Sequence, residues 1–232
     1  MHVFRSDVRR FLPGIVSSLS PEWRSALALG RVCRQKKGAF LIPDPESRTF
    51  GFLTRGRICS IHSSASGGAQ TMLFFGPDTL FRETYMFSGF CLSLPHFQAL
   101  TDVEFCLFEG DMLHDRAFVA AHTSLMTSML YSVTVKLSLF DALLSIKSCK
   151  SVEEKTAMWL HYCFDARGRH SFPPGISQLE LSLLLGVHKS SLNKAILRLK
   201  AHGILGCFTK TQITILDEKR LFAVASGTEV LD

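Results

Sequence analysis

The chain has 232 residues, of which 47% are hydrophobic and 20% are charged, a composition typical of globular proteins. No uninterrupted apolar run approaches the roughly 18 residues that a membrane span needs, and Arg5, Asp7, Arg9 and Arg10 stand where a signal peptide would require its apolar stretch. The net charge of +6 permits a polyanionic partner without identifying it. We therefore expect a soluble, cytoplasmic protein of two domains that does not contact a membrane.

The seven cysteines are scattered along the chain and include no Cys-x-x-Cys pair. This distribution predicts reduced thiols in a cytosolic protein rather than a disulfide framework. Zinc or an iron–sulfur cluster would need a close group of cysteines, or of cysteines and histidines, which the spacing does not provide. We expect structural or incidental cysteines, with one redox-sensing thiol as the alternative.

Between residues 30 and 113 the sequence consists of short apolar runs separated by turn residues. The runs cover residues 39–42, 49–53, 58–62 and 71–75. Each is followed by a segment rich in Gly, Pro, Asp or Ser, or by an Arg-Gly pair, and this spacing predicts a β meander or barrel.

Residues 117–146 contain neither Gly nor Pro, and their only charged side chains are Lys136 and Asp141. We predict one long helix here. The stretch Ser151-Val152-Glu153-Glu154 offers a capping box, which predicts the start of a second helix that ends at Gly168.

The long helix carries an apolar seam, with spacings of 4, 3, 4, 3 and 4 residues. The members of this dimer seam are Met126, Leu130, Val133, Leu137, Phe140 and Leu144. The seam could pack on its own domain. Because Leu125, Met129, Leu139 and Leu143 make a second face apolar, however, that face can pack on the β domain while the seam meets a partner. The pattern favours a homodimer.

A helix-turn-helix pattern follows in the C-terminal region. Ser177-Gln178-Leu179-Glu180 is a capping box that predicts a helix start, and Gly186 permits the positive φ of a tight turn after that helix. Val187 can fill the angle between two helices, and residues 189–201 predict the second helix. Two helices joined by a glycine turn form a helix-turn-helix unit.

Two short strands beyond this unit, residues 204–206 and 211–215, predict a wing with its tip near Lys210. Residues 176–210 contain five Lys or Arg and one Glu, so this segment has a net charge of +4. An ordinary helical bundle or a protein-interaction module could contain similar helices. The capping box, glycine turn, basic second helix and wing together favour binding to double-stranded DNA.

The order of these regions, and above all residues 176–194, resemble the cyclic-AMP receptor/fumarate-nitrate regulator (CRP/FNR) superfamily of bacterial transcription regulators. The resemblance implies an α+β fold with an N-terminal β-roll, a cupin-like jelly roll, as the effector sensor (residues 1–116). It further implies a dimerisation helix (117–147) and a winged helix-turn-helix DNA-binding domain (148–232). The implied function is effector-responsive regulation from a palindromic operator, in which RNA polymerase is a further expected partner.

Matched residue by residue, the resemblance assigns base reading to Lys189, Ser190 and Lys194. The full set expected at the DNA is Gln178, His188, Lys189, Ser190, Ser191, Asn193, Lys194 and Lys210. Many family members carry Glu and Arg where this chain has Ser190 and Lys194, so the resemblance does not predict the half-site sequence.

The sensor motif departs from that of the family's cyclic-nucleotide binders. Those proteins carry Gly-Glu and, about ten residues later, an Arg that clamps the phosphate through its guanidinium fork. The corresponding residues here are Arg82-Glu83 and Ser93-Leu94. Cyclic AMP is therefore not the expected effector.

Aromatic residues instead surround the charged residues Arg82 and Glu83, and they either fill the β-roll or line a ligand site. They are Phe74, Phe75, Phe81, Tyr85, Phe87, Phe90 and Phe97. By resemblance to halorespiration regulators that sense chlorinated phenols, the expected effector is a small aromatic anion seated on Arg82. The expected effector-binding set is Phe75, Arg82, Glu83, Tyr85 and Phe97.

The alternative sensor is one based on haem or a thiol, with His96 or Met86 as a haem ligand, although a lone His or Met at an apolar position is more often part of a core. No metal site and no certain cofactor is expected. The sequence also lacks a phosphate loop, a Gly-x-Ser-x-Gly elbow and a carboxylate pair with metal-ligand spacing, so we do not expect an enzyme.

Overall fold

A computed structural model describes residues 11–42, 44, 47–63, 68–87 and 95–231. The chain divides into two compact units, of which one comprises residues 16–137 and the other combines residues up to 15 with those from 138 onward. The division into segments 1–116, 117–147 and 148–232 stays a prediction.

The first unit is built from two antiparallel sheets, with strand orders β1-β5-β4-β7 and β2-β8-β3-β6. The strands are β1 (Ile15–Val16), β2 (Arg31–Gln35), β3 (Thr49–Arg55), β4 (Ile58–Ser63), β5 (Ala69–Phe75), β6 (Thr79–Phe81), β7 (His96–Ala99) and β8 (Val103–Glu109). The predicted strands at residues 49–53, 58–62 and 71–75 are confirmed. The run at residues 39–42 is not a regular strand, although it pairs with β7. Phe40 forms an isolated bridge with Gln98, the Ala39 carbonyl accepts from the Ala99 N–H at 2.9 Å, and the Leu41 N–H donates to the Phe97 carbonyl at 2.9 Å.

The core of this unit is centred on Trp23, which lies in a 3₁₀ segment, Pro21–Leu29, and is fully buried. Its ring meets the rings of Phe50 and Phe108 edge-on, with centroids 5.3 and 5.2 Å away. Leu125 and Met129 pack into the same cluster, and the Trp23 indole N–H donates to the Leu125 carbonyl at 3.3 Å. One face of the following helix is thereby fixed to the β-sheets.

The helices are α1 (Arg116–Ala121), α2 (Thr123–Ser148), α3 (Val152–Arg167), α4 (Gln178–Leu185), α5 (Lys189–Ala201) and α6 (Glu218–Ala225). The prediction of one uninterrupted helix from residue 117 is wrong, because His122 leaves the helical conformation (φ −124°, ψ 43°). The His122 ring packs on Phe118 with centroids 4.5 Å apart, and its carbonyl accepts from the Leu125 N–H as α2 begins.

Helix α2 is, within the described chain, the helix that is long and apolar enough to cross a membrane by length and composition, with a mean hydropathy of 1.5 over its most apolar window. Of that window, 39% is buried within the chain. Leu125 and Met129 belong to the Trp23 cluster, and the buried side chain of Lys136 forms an ion pair with Glu83 of the same unit.

The second unit contains helices α3 to α6 and a sheet of order β10-β11-β9, formed by β9 (Ser171–Phe172), β10 (Leu205–Phe208) and β11 (Ile213–Ile215). The predicted bounds of α3 are confirmed, since Ser151 Oγ accepts from the Glu154 N–H at 3.0 Å and Gly168 ends the helix with φ +61°. The predicted box is half formed, because the Glu154 carboxylate accepts from the Lys150 N–H.

Candidate nucleic-acid interface and effector site

The helix-turn-helix begins with a complete capping box. Ser177 Oγ accepts from the Glu180 N–H at 3.2 Å, and the Glu180 carboxylate accepts from the Ser177 N–H at 2.7 Å. Gly186 ends α4 with φ +67°, and the Val187 N–H donates to the Ser182 carbonyl at 3.0 Å. Helix α5 starts three residues after Gly186, so the predicted helix, turn and second helix are confirmed as structural elements.

Helix α5 separates an apolar inner face from a polar outer face. Leu192, Ile196 and Leu199 are buried, as the sequence predicts. The outer face exposes Lys189, Ser190 and Lys194, while Ser191 and Asn193 are half-buried and Gln178 on α4 is half-buried as well. A helix anchored by its inner face presents three exposed hydrogen-bonding side chains in a fixed arrangement.

His188 occupies the N-cap position of α5 and contacts Ser190 twice. His188 Nδ1 lies 2.7 Å from Ser190 Oγ and 3.3 Å from the Ser190 backbone nitrogen. Histidine is not among the preferred N-cap residues, so sequence reasoning placed His188 at the DNA without recognising this role.

The wing is the β10–β11 hairpin. Its tip, residues 209–212, is held by Thr209, whose Oγ1 accepts from the N–H of Gln212 at 2.9 Å and of Thr211 at 3.3 Å. Lys210 stands exposed in this turn. The ends of strands β10 and β11 differ by one or two residues from the predicted strands, 204–206 and 211–215, because the turn at Thr209 occupies four residues. Strand β9, which contacts the wing through Ser171 Oγ and Gln212 Nε2 at 2.7 Å, was not predicted.

One basic side chain of α5 is engaged within the protein. Arg198 Nη1 lies 2.6 Å from a carboxylate oxygen of Glu153 on α3, and Glu153 is 18% exposed. Arg198 therefore braces α5 against α3, while Lys189 and Lys194 extend from the opposite end of the helix.

The dimer seam is open in this chain. Leu130, Leu137 and Leu144 are 67%, 61% and 62% exposed, and Met126, Val133 and Phe140 are half-buried. The second apolar face does not pack wholly on the β domain as expected. Leu125 and Met129 do so, but Leu139 lines a cleft with Pro13 and Tyr162 of the second unit.

Arg82 takes up a left-handed conformation (φ 69°, ψ 0°) and is 6% exposed. Its guanidinium donates to the backbone carbonyls of Asp44, at 3.2 Å, and Ser47, at 2.5 Å. These bonds attach it to the segment that precedes β3. Two of the five N–H donors of this guanidinium are thus directed at backbone carbonyls.

Glu83 has a different partner. Its buried carboxylate forms an ion pair with the ammonium of Lys136 on α2 and accepts from Ser132 Oγ at 3.0 Å, while Lys136 also donates to the Leu80 carbonyl at 2.7 Å. Burial lowers the pKa of Lys136, and the Glu83 carboxylate offsets part of that shift. Sequence reasoning missed Lys136 as a site residue, although a single Lys within an apolar helix was a visible signal.

The structure brings part of the expected effector set together at this ion pair. The Lys136 ammonium lies 5.4 Å from the centre of the Phe75 ring, and Phe75 meets Phe97 with ring centroids 5.7 Å apart. Both Phe side chains are buried and fill the space between the strands. Tyr85 packs instead on the Trp23 cluster.

The remaining sensor candidates lie elsewhere or are not described. Met86 belongs to the Trp23 cluster, whereas His96 is exposed with its ring against Phe40, so the two haem candidates do not converge on a common site. Ser93 and Leu94, which stand at the phosphate-clamp positions, lie outside the described residues, as does Phe90.

No protein-family model and no curated protein matches the sequence. Solved structures do match the fold. A CprK variant complexed with OCPA has 16% sequence identity, with 88% of this chain and 93% of that chain covered and a TM-score of 0.74. The c-di-GMP responsive global regulator CLP of Xanthomonas campestris has 14% identity, 84% and 97% coverage and a TM-score of 0.64. A putative CRP/FNR-family regulator from Eubacterium rectale has 18% identity, 90% and 99% coverage and a TM-score of 0.55. The chain therefore has the α+β fold of these solved regulators, which confirms the fold class predicted from the sequence.

Proposed function

We propose that this protein is an effector-responsive transcription regulator that binds a palindromic operator in duplex DNA as a homodimer. The observation that carries the proposal is the outer face of α5. Its inner residues are buried, the preceding helix α4 starts at a capping box and ends at Gly186, and Lys189, Ser190 and Lys194 are exposed together. This is the arrangement in which a recognition helix reaches base edges in the major groove.

The exposed dimer seam supports the two-subunit form. Three Leu side chains at every second seam position, Leu130, Leu137 and Leu144, are more than 60% exposed on one line of α2. Such a line of Leu residues would be buried by the same line on a second copy, because a two-fold axis brings identical surfaces together. Two recognition helices related in this way require a palindromic operator. Contact with RNA polymerase and a cytoplasmic location belong to the same proposal.

The DNA-binding proposal is tested by measuring the affinity of the full chain for a selected duplex over a range of salt concentrations. Because neutralised phosphates release counterions, log affinity should fall linearly with log salt concentration. The variant Lys189→Ala/Lys194→Ala should bind weakly, whereas Lys219→Ala, which removes an exposed Lys on α6, should bind like the original chain. A chain that shifts no duplex at low salt, or equal losses in both variants, would contradict the proposal.

For the effector, we propose a small aromatic anion that competes with Glu83 for Lys136. Phe75 lies beside the Lys136 ammonium and packs on Phe97, and both rings are buried, so an aromatic ligand would have to displace part of this packing together with the Glu83 carboxylate. An anion that takes the place of the Glu83 carboxylate would break a bond between the β-strands and α2, which gives binding a direct effect on the helix that carries the dimer seam. The OCPA complex of CprK is consistent with such a ligand in this fold.

The effector proposal is tested with a panel of substituted phenols, phenylacetates, haem and cyclic nucleotides, each scored by the rise in melting temperature at saturating concentration. An aromatic anion should raise the melting temperature of the original chain and of Arg82→Ala. The same anion should not raise the melting temperature of Lys136→Met above the value that this variant has without ligand. If Arg82→Ala loses the response and Lys136→Met keeps it, Arg82 is the anchor instead.

A further inference from the structure

The contact between His188 and Ser190 determines which atom carries the hydrogen. The Ser190 backbone N–H can only donate, and it approaches His188 Nδ1 at 3.3 Å, so Nδ1 acts as an acceptor and the ring proton lies on Nε2. Ser190 Oγ lies 2.7 Å from the same nitrogen. Between an acceptor nitrogen and a hydroxyl at that distance, the hydroxyl must supply the hydrogen.

A serine hydroxyl has one hydrogen and two lone pairs, and here the hydrogen is committed to His188. The Ser190 oxygen can therefore only accept from a DNA base. In the major groove, adenine N6 and cytosine N4 offer amino hydrogens, whereas guanine N7 and O6 and thymine O4 offer only lone pairs. A Ser190 in this state distinguishes bases that carry an amino group from bases that do not.

The neighbouring lysines have the opposite chemistry. The ammonium groups of Lys189 and Lys194 donate and cannot accept, so they suit the acceptor atoms of guanine. One helix face thus presents two donors and one acceptor. The acceptor exists only because His188 holds the Ser190 hydrogen.

We infer that His188 is a specificity-determining positioning residue, which fixes Ser190 as an acceptor. Every base pair carries one amino group in the major groove, on its adenine or its cytosine, so Ser190 selects which strand carries that base at one base pair of each operator half-site. This inference rests on the proposed DNA-reading function and deepens it. His188 need not touch a base for this effect, since it acts through the Ser190 hydroxyl.

The test is a selection of binding sites from random duplexes by the full-length chain and its variants. At one position per half-site, read along one strand, the original chain should group adenine with cytosine against guanine and thymine, by about three- to tenfold for a single hydrogen bond. Ser190→Ala should lose this preference at that position and keep the rest of the site.

Two substitutions of His188 distinguish its effect on the orientation of the Ser190 hydroxyl from its role as the N-cap of α5. In His188→Ala the Ser190 hydroxyl can rotate and donate, so guanine or thymine should become acceptable at the same position. In His188→Asp a carboxylate, which caps helices well and can only accept, should hold the hydroxyl as before and restore the preference, although its charge lowers affinity for all DNA. The variant His188→Ala/Ser190→Ala should select the same sequences as Ser190→Ala.

Two outcomes overturn the inference while leaving DNA reading intact. One is a His188→Ala variant that binds every sequence more weakly but keeps the original consensus, which makes His188 a helix cap only. The other is an original chain whose preference, at the position relaxed by Ser190→Ala, separates purines from pyrimidines, or A·T pairs from G·C pairs on either strand, instead of grouping adenine with cytosine on one strand. If the folded original chain selects no sequence at all, the proposed function fails and this inference fails with it.

Discussion

Lys136 and Glu83 form an ion pair in which the two side chains are only 5% and 1% exposed. Glu83 follows β6 and Lys136 lies on α2, so the pair joins the β-strands of the first unit to the helix that carries the dimer seam. Ser132 and the Leu80 carbonyl add further hydrogen bonds, which compensate part of the cost of removing two charges from water.

Removing one member of this pair should be more damaging than removing both. Lys136→Met leaves the Glu83 carboxylate buried without its counter-charge, and we expect the free energy of unfolding to fall by about 3–5 kcal/mol. Lys136→Met/Glu83→Gln should lose clearly less, because no buried charge remains. Urea denaturation measures the free energy of unfolding of both variants. As a control, Arg34→Met removes the exposed partner of Glu104, and such pairs contribute roughly 0–1 kcal/mol. With Glu83→Gln measured as well, a loss in the double variant equal to the sum of the two single losses would mean that the pair is not coupled.

The thiol of Cys163 should resist alkylation in the folded protein. Burial raises the pKa of Cys163 well above its ordinary value, so the reactive thiolate is scarce even when the pH approaches 9. With iodoacetamide at pH 8 and analysis by mass spectrometry, Cys33, Cys149 and Cys207, which are half-buried, should be labelled before Cys163. Early labelling of Cys163 would instead make it a candidate for the thiol-based sensor.

A charge in the dimer seam should separate the subunits. Val133→Glu would place two carboxylates near the two-fold axis, where desolvation and mutual repulsion cost several kcal/mol. Sedimentation velocity should show a monomer for this variant. Ser145→Glu, at an exposed position of α2 outside the seam, should remain dimeric. An unchanged dimer in Val133→Glu would mean that the seam is not the interface.

Base-reading and phosphate-binding lysines should differ in their effect on sequence choice. Lys189→Ala or Lys194→Ala should cost about 1–3 kcal/mol at the operator and relax the preference at one base pair per half-site. Lys210→Ala at the wing tip should weaken specific and non-specific binding alike and reduce the salt slope by about one unit per subunit. If both Lys→Ala variants of α5 keep the original consensus at uniformly lower affinity, neither lysine reads a base.

Cyclic AMP should not bind at micromolar concentrations. The chain carries Ser93-Leu94 where the phosphate-clamping Arg of the family's cyclic-nucleotide binders stands, and a buried phosphate needs a guanidinium or an equivalent donor. Isothermal titration calorimetry should detect no heat of binding. Micromolar affinity would show that another cation clamps the phosphate.

The parts of the fold that were predictable from the sequence depend on local signals. The Ser177 capping box, Gly168 and Gly186 mark helix ends through residue types that act within one turn, and all were assigned correctly. The helix break at His122 was not predicted, because it depends on a ring contact with Phe118 and not on a Gly or Pro. Strand β9 has two residues and no periodicity to detect.

The candidate sites divide in the same way. The exposed face of α5 follows from helical periodicity, whereas the pairing of Glu83 with Lys136 joins residues 53 positions apart and required the fold. The identity of the effector is harder still to predict from the sequence. CLP is described as c-di-GMP responsive and CprK was solved with OCPA, although both share this fold. Fold similarity therefore does not identify the ligand.

The adjacent residues Arg82 and Glu83 form attachments of two different kinds. The bonds from Arg82 to the Asp44 and Ser47 carbonyls hold the segment before β3, whereas the ion pair of Glu83 with Lys136 holds α2. The two consecutive side chains thus extend to two different parts of the first unit, so a shift of the backbone at residues 82 and 83 would act on the segment before β3 and on α2 together.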